Sequence, residues 1–462
     1  MASGLVRTLR IRTRRKLGNL GLLTTALGDA GASIGEIITI KIGHSFTLRD
    51  FNLVLDDEEH LRAVIDAVKA LADSEIVEVR NQVKAVHEGG KIRTTARVPL
   101  DSITALQTAL TPGVSEIVGL LDDEPELAER YTGVQRTVAI VSDGSGLRGV
   151  GRVRSQAMLP VLEAKAALFA SRAGLSSLPL VLDVQTEEEF IAAVKAIRPS
   201  CSAVLIDAMA GARAVRICKR LGEELDIPVF LDDADAPAVA SLAAVINACR
   251  RAGKDPDHVT IGQIGLGTAG AAIAELVQRF TGRPVLGEDV HPASVSRHVA
   301  LGGKAASLDD IMATCDVVVA NTGHGDVIPP SQVREGQAIL ALSEPRPEIE
   351  PYDATLAGAA FAADGRAMNK SVVLPGMFLG ALAAKASVIN DEMKIAAALT
   401  LANAADVGDL LPTPLEVHIH AQVASAVAKA AVKSGVGRRI EENQLSPETF
   451  MSLIRGDRDL PL

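Results

Sequence analysis

The run Val259-Thr260-Ile261-Gly262-Gln263-Ile264 leads directly into Gly265-Leu266-Gly267-Thr268-Ala269-Gly270, and Ala271 to Phe280 continues with helical periodicity. A buried strand, a glycine turn and a helix in that order predict a βαβ unit. Gly265 permits the tight turn, Gly267 lets a pyrophosphate approach the backbone, and Gly270 lets the helix pack closely on the strand. The helix N-terminus adds free N–H groups and a favourable dipole for the phosphates. A second strand, Val285-Leu286-Gly287, ends near Asp289. Asp289 stands about 24 positions past Gly265, close to the spacing of about 20 expected for an acid that binds a ribose. Such an acid accepts from the ribose 2′-OH and repels a 2′-phosphate, so the pattern predicts NAD over NADP. Glu288 is the alternative acid, and Arg283 and Arg297 lie nearby. The predicted cofactor-binding set is Gly265, Gly267, Thr268, Ala269, Gly270, Asp289 and Asn321.

The rest of the 462 residues must frame this unit. With 48% hydrophobic and 23% charged residues the chain can bury a core and is not disordered. A net charge of -10 argues against a nucleic-acid partner, which needs a basic face. Positive charges do gather from Arg7 to Lys16, but they alternate with Val6, Leu9 and Ile11, the pattern of a solvated strand face. No run reaches the about 18 uncharged apolar residues of a membrane span, and no secretory signal is evident. Cys201, Cys218, Cys249 and Cys315 are scattered without metal spacing. Together these features predict a cytoplasmic protein with reduced thiols.

Residues 5 to 86 read as βαββαβ. The strands are Leu5–Ile11, Ile34–Ile42, Phe46–Leu55 and Ile76–Val83, and the helices are Leu17–Ala30 and His60–Leu71. That order is ferredoxin-like, and with the glycine-bearing turn Gly18-Asn19-Leu20-Gly21 it resembles an ACT domain. The resemblance implies a small effector or self-pairing at this unit. His87 to Lys91 reads as a linker. Beyond it strands and helices alternate: strands Val138–Val141, Leu180–Val184, Ala203–Ile206 and Val229–Leu231, and helices Glu188–Ile197, Arg213–Leu225 and Ala236–Ala252. Alternation predicts a parallel sheet covered on both faces. Ala383 to Ala405 and Ile419 to Lys433 read as helical.

Several segments then occur in one order: Thr111-Pro112-Gly113-Val114, Ser142-Asp143-Gly144-Ser145, Leu162-Glu163-Ala164-Lys165-Ala166, Pro228-Val229-Phe230-Leu231-Asp232-Asp233, the glycine turn, Leu342-Ser343-Glu344-Pro345 and Leu374-Pro375-Gly376-Met377-Phe378. From about residue 95 to 435 the chain resembles the bacterial malic enzymes. The resemblance implies oxidation of malate with NAD(P), decarboxylation on Mn²⁺ or Mg²⁺, and protonation of the pyruvate enol. It places the lysine base on Lys165, where a neighbouring cationic nicotinamide or metal would lower the pKa. It places metal ligands on Asp207 and Asp233. The family's Glu-Asp pair is here Asp207-Ala208, so one ligand is shorter by roughly 1.5 Å and the next is absent. The choice is between a site rebuilt from Asp207, Asp233 and Asp235 and a vestigial one, and the vestigial one is favoured. The family's general-acid tyrosine is Leu110, which cannot donate a proton. The substrate set is Arg148, Glu344, Asn369 and Lys370. Glu344 and Lys370 stand where the family has asparagines, Asn369 is retained, and Arg152 adds a second charge near Arg148.

The expected architecture is α/β: an ACT-like α+β domain over 1–88, a malic-enzyme-like catalytic domain over 89–240, a Rossmann NAD domain over 241–385 and a helical return over 386–462. The expected function is NAD-dependent oxidation of malate or a related 2-hydroxy acid by a homodimer or larger homo-oligomer, with decarboxylation weakened at Leu110 and Ala208. The alternative is a catalytically impaired homologue that binds NAD(H) and an effector.

Overall fold

The computed structural model describes residues 5–147, 150–256, 258–438 and 440–457. Arg148, one of the expected substrate residues, lies outside them. The chain divides into two compact units, Met1–Arg93 and Thr94–Leu462.

The first unit has strands β1 (Leu5–Arg14), β2 (Ser33–Ile42), β3 (Phe46–Leu55) and β4 (Ser74–Arg80), with helices Asn19–Asp29 and Glu58–Lys69. The sheet order is β2-β3-β1-β4, and every pairing is antiparallel. This is the ferredoxin-like arrangement. Its core alternates along the strands through Leu9, Ile11, Phe51, Leu53 and Leu55, closed by Leu23, Leu27, Val64 and Val68 from the helices. The basic stretch is a strand face with acidic partners: Arg10 pairs with Asp50 at 2.7 Å and Arg7 with Glu58. The last strand ends sooner than expected, because Asn81 accepts from Lys84 N and caps a helix over Gln82–His87.

The second unit holds two parallel sheets. The smaller, in order β6-β5-β7-β8, consists of β5 (Thr137–Ser142), β6 (Ser176–Val181), β7 (Ala203–Ile206) and β8 (Val229–Leu231). Strand β6 begins earlier than the sequence reading placed it. Pro179 lies inside it, which the sheet tolerates because β6 is an edge strand. The larger sheet contains β9 (Ile261–Ile264), β10 (Leu286–Glu288), β11 (Lys304–Ala305), β12 (Val317–Ala320), β13 (Ala338–Ala341) and β14 (Phe361–Asp364). Its order is β11-β10-β9-β12-β13-β14, the 3-2-1-4-5-6 order of a doubly wound dinucleotide fold. Alternate residues of both sheets face separate cores, so each sheet is buried on both sides.

Two corrections to the expected elements bear on the site. The helix after β8 spans Asp232–Arg251, four residues earlier than expected, with Pro237 inside it. Asp232, Asp233 and Asp235 therefore occupy its first turn, where the helix dipole favours negative charge. Near the C-terminus the first helix is Val373–Ala383 and the next is Asp391–Ala404, with a break between them. Pro375 is accommodated because the first turn needs no N–H from it. Gly376 and Gly380 share one face of Val373–Ala383, and a Cβ on either would come within 2.6 Å of Val423 or 2.5 Å of the Ala424 carbonyl. The Val417–Lys433 helix packs backbone-close on that face.

Candidate active site

Lys165 lies on the Leu159–Ala173 helix, whose Leu162, Ala166 and Phe169 are buried. Asp207 follows β7 and Asp232 follows β8, so both acids stand at the C-terminal ends of adjacent parallel strands, the usual edge for ligands in such sheets. Lys165 Nζ donates to Asp232 Oδ2 at 2.6 Å and lies 2.6 Å from Asp207 Oδ2. The latter contact is an ion pair without hydrogen-bond geometry. Burial opposes the ammonium, but Asp232 and Asp207 outweigh it and hold Lys165 above the ordinary lysine range. The two carboxylates act against the lowering that a neighbouring cationic nicotinamide or metal would bring. Asp207 is 3% exposed. Burial raises its pKa and Asp232 adds to the shift, while Lys165 offsets part of it. Asp233 is raised by burial and by Asp232 and Asp207, opposed by Lys370 and Lys165. Lys165, Asp207, Asp232, Asp233 and Lys370 therefore form one electrostatic neighbourhood, and Asp235 belongs elsewhere. It accepts from Leu231 N at 2.9 Å and from Lys394 Nζ at 2.6 Å. The rebuilt ligand set that included Asp235 is thereby corrected.

The loop carrying Asp207 is held tightly. Gly146 N donates to the Ala208 carbonyl at 3.1 Å, and Ala210 N donates to Ser145 Oγ at 3.1 Å. Asp143 accepts from Ser145 and pairs with Arg213. Ala208 has φ 49°, a left-handed conformation that costs an alanine about 1–2 kcal/mol. The backbone is strained at the position where the sequence comparison finds a ligand missing. Arg152 is exposed and donates a long 3.4 Å bond to Gln185.

The glycine turn has the geometry its sequence predicts. Gly265 has φ 86°, and a Cβ there would fall 2.6 Å from the Asn321 carbonyl. A Cβ on Gly270 would fall 2.0 Å from the Gly265 carbonyl, so only glycine lets helix Thr268–Thr281 lie on β9. At Gly267 a Cβ would meet nothing within 4 Å, leaving open space beside the helix N-terminus that Thr268 and Ala269 begin. Asp289 Oδ2 accepts from Leu266 N at 2.7 Å and Oδ1 from His291 N at 2.8 Å, which fixes the acid beside the turn. Asn321 follows β12, and its N–H donates to the Ile264 carbonyl at 2.9 Å.

Between these two groups lies a cavity of about 60 Å³ lined by Pro237, Ser241, Asn321, Leu342, Glu344, Gly365, Met368 and Lys370. It brings Asn321, Glu344 and Lys370 together, and Lys370 also faces Asp233 electrostatically. Asn369 is not in the lining. It is exposed, and its Oδ1 accepts from Ser371 N and Oγ to cap the short helix Lys370–Val372.

Three participants escaped the sequence reading. Asp232 was passed over for its neighbour Asp233, although a helix starting at 232 turns successive residues through different directions. Ser241 shares a helix stripe with Asp233 and Pro237 at steps of four, a signal available once the helix start is right. Glu348 is fully buried and accepts from Thr322 N at 2.7 Å, Thr322 Oγ1 at 2.9 Å, Ser343 Oγ at 2.5 Å and Ser343 N at 3.2 Å. It ties the loop after β12 to the loop after β13, and nothing in its sequence surroundings announces this.

Residues 96–220 match the model described as malic enzyme, N-terminal domain, and residues 241–326 match the NAD binding domain of D-isomer specific 2-hydroxyacid dehydrogenases. The protein called NAD-dependent malic enzyme 1 of Bacillus subtilis (strain 168) is 44% identical over 94% of this chain and 99% of its own length. The chain belongs to the malic enzyme family. The NAD-dependent malic enzyme of Geobacillus stearothermophilus is 31% identical over 94% of this chain and 95% of its own length. The crystal structure of malic enzyme from Pyrococcus horikoshii superposes with TM-score 0.75 at 31% identity, covering 81% of this chain and 96% of that one. Within this malic enzyme fold, Leu110 ends the Ile103–Ala109 helix, is 55% exposed and lies outside the cavity lining.

Proposed function

We propose that this chain is an NAD-dependent oxidoreductase of the malic-enzyme type that oxidises malate or a related 2-hydroxy acid at C2. The observation that carries the reading is the juxtaposition of Lys165, held between Asp207 and Asp232, with Lys370, which serves both the carboxylate group and the cavity at the ends of β12–β14. Gly265, Gly267, Thr268, Ala269 and Gly270 hold the pyrophosphate, and Asp289 the ribose. Asn321 belongs to the same cofactor site. NAD bound there would supply the hydride acceptor for substrate C2, and Lys165 Nζ takes the hydroxyl proton. Lys165 Nζ receives it in its neutral form, and the two carboxylates 2.6 Å away, which favour the ammonium, stabilise the protonated product. In the reductive direction the ammonium donates to the carbonyl oxygen. Lys370 pairs with a substrate carboxylate, and Arg148 is assigned the same task from sequence.

The donors suit a hard cation. Buried Asp207 has an oxygen without a hydrogen bond, and Asp233 stands in the same acidic neighbourhood. Among the described residues no group of three His, Cys, Asp or Glu side chains is arranged to hold a metal. Two carboxylates are enough for Mg²⁺ or Mn²⁺ when substrate and water complete the shell. Asp207 and Asp233 would hold the ion, which supplies Lewis-acid polarisation of the substrate oxygen when bound. Position 110 offers no proton to an enol, so decarboxylation is weakened.

NADH formation measured across a panel of 2-hydroxy acids with Mn²⁺ tests the reading. Turnover that disappears in Lys165→Met while ADP-ribose still binds is expected. Absence of turnover with every acid would leave the second reading, a homologue that binds NAD(H) and an effector, which Leu110 and strained Ala208 favour. For such an effector the first unit offers a cavity of about 490 Å³ lined in part by Arg14, Arg15, Lys16, Gly18 and Arg49, suited to an anion. This assignment follows an ACT-like role for residues 1–88. The division of the remainder into 89–240, 241–385 and 386–462 follows the same scheme. A homodimer or larger assembly is supported by helices Ile103–Ala109 and Gly113–Asp123, which bury no residue and expose Ile103, Leu110 and Val118. Sedimentation would show it. A cytoplasmic location is supported by four unpaired cysteines. No helix among the described residues is long and apolar enough to cross a membrane.

A further inference from the structure

The two halves of a doubly wound sheet take the two ends of a dinucleotide. With the pyrophosphate at the β9 turn and the ribose acid after β10, the adenosine end lies over β9–β11 and the nicotinamide end over β12–β14. The cavity lined by Asn321, Leu342, Glu344 and Gly365 stands at the C-terminal ends of β12, β13 and β14. One wall comes from the Asp232–Arg251 helix through Pro237 and Ser241. Ser241 is 1% exposed, and its hydroxyl makes no hydrogen bond. A buried hydroxyl without a partner is unfavourable, and native proteins seldom leave one so. The wall opposite holds Glu344, whose carboxylate lies against the backbone of Gly365. A Cβ on that glycine would be 3.3 Å from Glu344 Oε1. Glu344 has no hydrogen bond or ion pair among the described residues.

The chemistry of these two groups is complementary. Ser241 is buried and can donate, whereas an ionised Glu344 can only accept. A primary carboxamide presents one carbonyl acceptor and one N–H₂ donor on the same carbon. We propose that Ser241 and Glu344 read the carboxamide of the nicotinamide ring, Ser241 Oγ–H donating to the amide oxygen and Glu344 accepting from the amide nitrogen. This rests on the NAD-dependent reading above and assigns Glu344 to the cofactor in place of the substrate. Glu350 and Glu348 cannot substitute for it: Glu350 pairs with Arg366, and Glu348 is consumed by Thr322 and Ser343. The pair also fixes the rotation of the carboxamide, because turning it over would set its carbonyl oxygen against the Glu344 carboxylate, acceptor against acceptor.

Calorimetric titration of the full chain with NAD, 3-acetylpyridine adenine dinucleotide and ADP-ribose tests the assignment. The acetylpyridine analogue keeps the carbonyl and lacks the N–H₂, and ADP-ribose lacks the ring. The unmodified chain is expected to prefer NAD over the analogue by about 10-fold, the scale of one hydrogen bond to a charged group. Glu344→Ala should bring that ratio to about 1. Ser241→Ala should weaken NAD and the analogue alike, by about 3- to 10-fold, and leave ADP-ribose unchanged. Ser241→Thr, which keeps the hydroxyl, should recover most of the loss. An unchanged ratio in Glu344→Ala, or unchanged NAD affinity in Ser241→Ala, overturns the proposal. Glu344 is exposed, so its variant keeps the fold, and the ratio decides even where Ser241→Ala also loses ADP-ribose. If the unmodified chain fails to bind ADP-ribose, the dinucleotide reading itself falls.

Discussion

Lys165 shows how a residue can be located in sequence while its state is set by its surroundings. The flanking apolar residues argue for burial, and the structure leaves its side chain 18% exposed. Its charge, however, depends on two acids 42 and 67 positions away along the chain, which meet it only because β7 and β8 are neighbours. Lys165→Met would leave Asp207 and Asp232 buried without a counter-charge. It should lower stability by about 3–5 kcal/mol, seen as a reduced Tm, and adding Asp207→Asn should recover part of the loss. Ala208 and Leu110 were legible as departures, since each is a residue type unable to perform the expected chemistry. That Ala208 is held at positive φ was not legible, because alanine carries no signal for that conformation.

Elements differ in how well they were read for definite reasons. Strand, glycine turn and helix at 259–280 were clear because local sterics demand glycine at Gly265 and Gly270. Gly270 and Gly267 behave differently on substitution. Gly270→Ala drives a Cβ into the Gly265 carbonyl and should lower Tm and abolish NAD binding together. Gly267→Ala meets open space, so Tm should hold while NAD affinity falls, because the methyl group takes the room of the pyrophosphate. Comparing melts with NAD titrations separates the two. The start of Asp232–Arg251 was placed four residues late, at Ala236, which displaced the acids from the helix end that carries them. The loops after β12 and β13 depend on Glu348. Glu348→Ala leaves buried Ser343 and half-buried Thr322 without their shared acceptor, so a loss of about 3 kcal/mol in stability and a raised KM for NAD are expected from melts and initial rates.

At the scale of the molecule, the core of the larger unit runs from the small sheet through the C-terminal helices to one face of the six-stranded sheet. His420 sits fully buried in it, with Nε2 2.9 Å from the Pro414 carbonyl. Burial pushes its pKa below the ordinary 6.5, and Arg172 and His418 push the same way, against the Pro414 and Val372 carbonyls. The unfolded chain then binds more protons between 6.5 and the lower folded value. Stability is full above 6.5 and is lost as the pH falls through that window. Melting as a function of pH should show this acid slope, and His420→Gln should flatten it. From sequence alone came the α/β class, the ferredoxin-like start, the dinucleotide turn and the family, because these rest on periodicity, glycine sterics and residue order within short windows. The charge of Lys165, the exclusion of Asp235, the placing of Ser241 opposite Glu344 and the Glu348 clamp were decided only by the tertiary structure. Each joins groups carried by different elements of the fold, and its strength depends on burial and distance, which no short window of sequence contains.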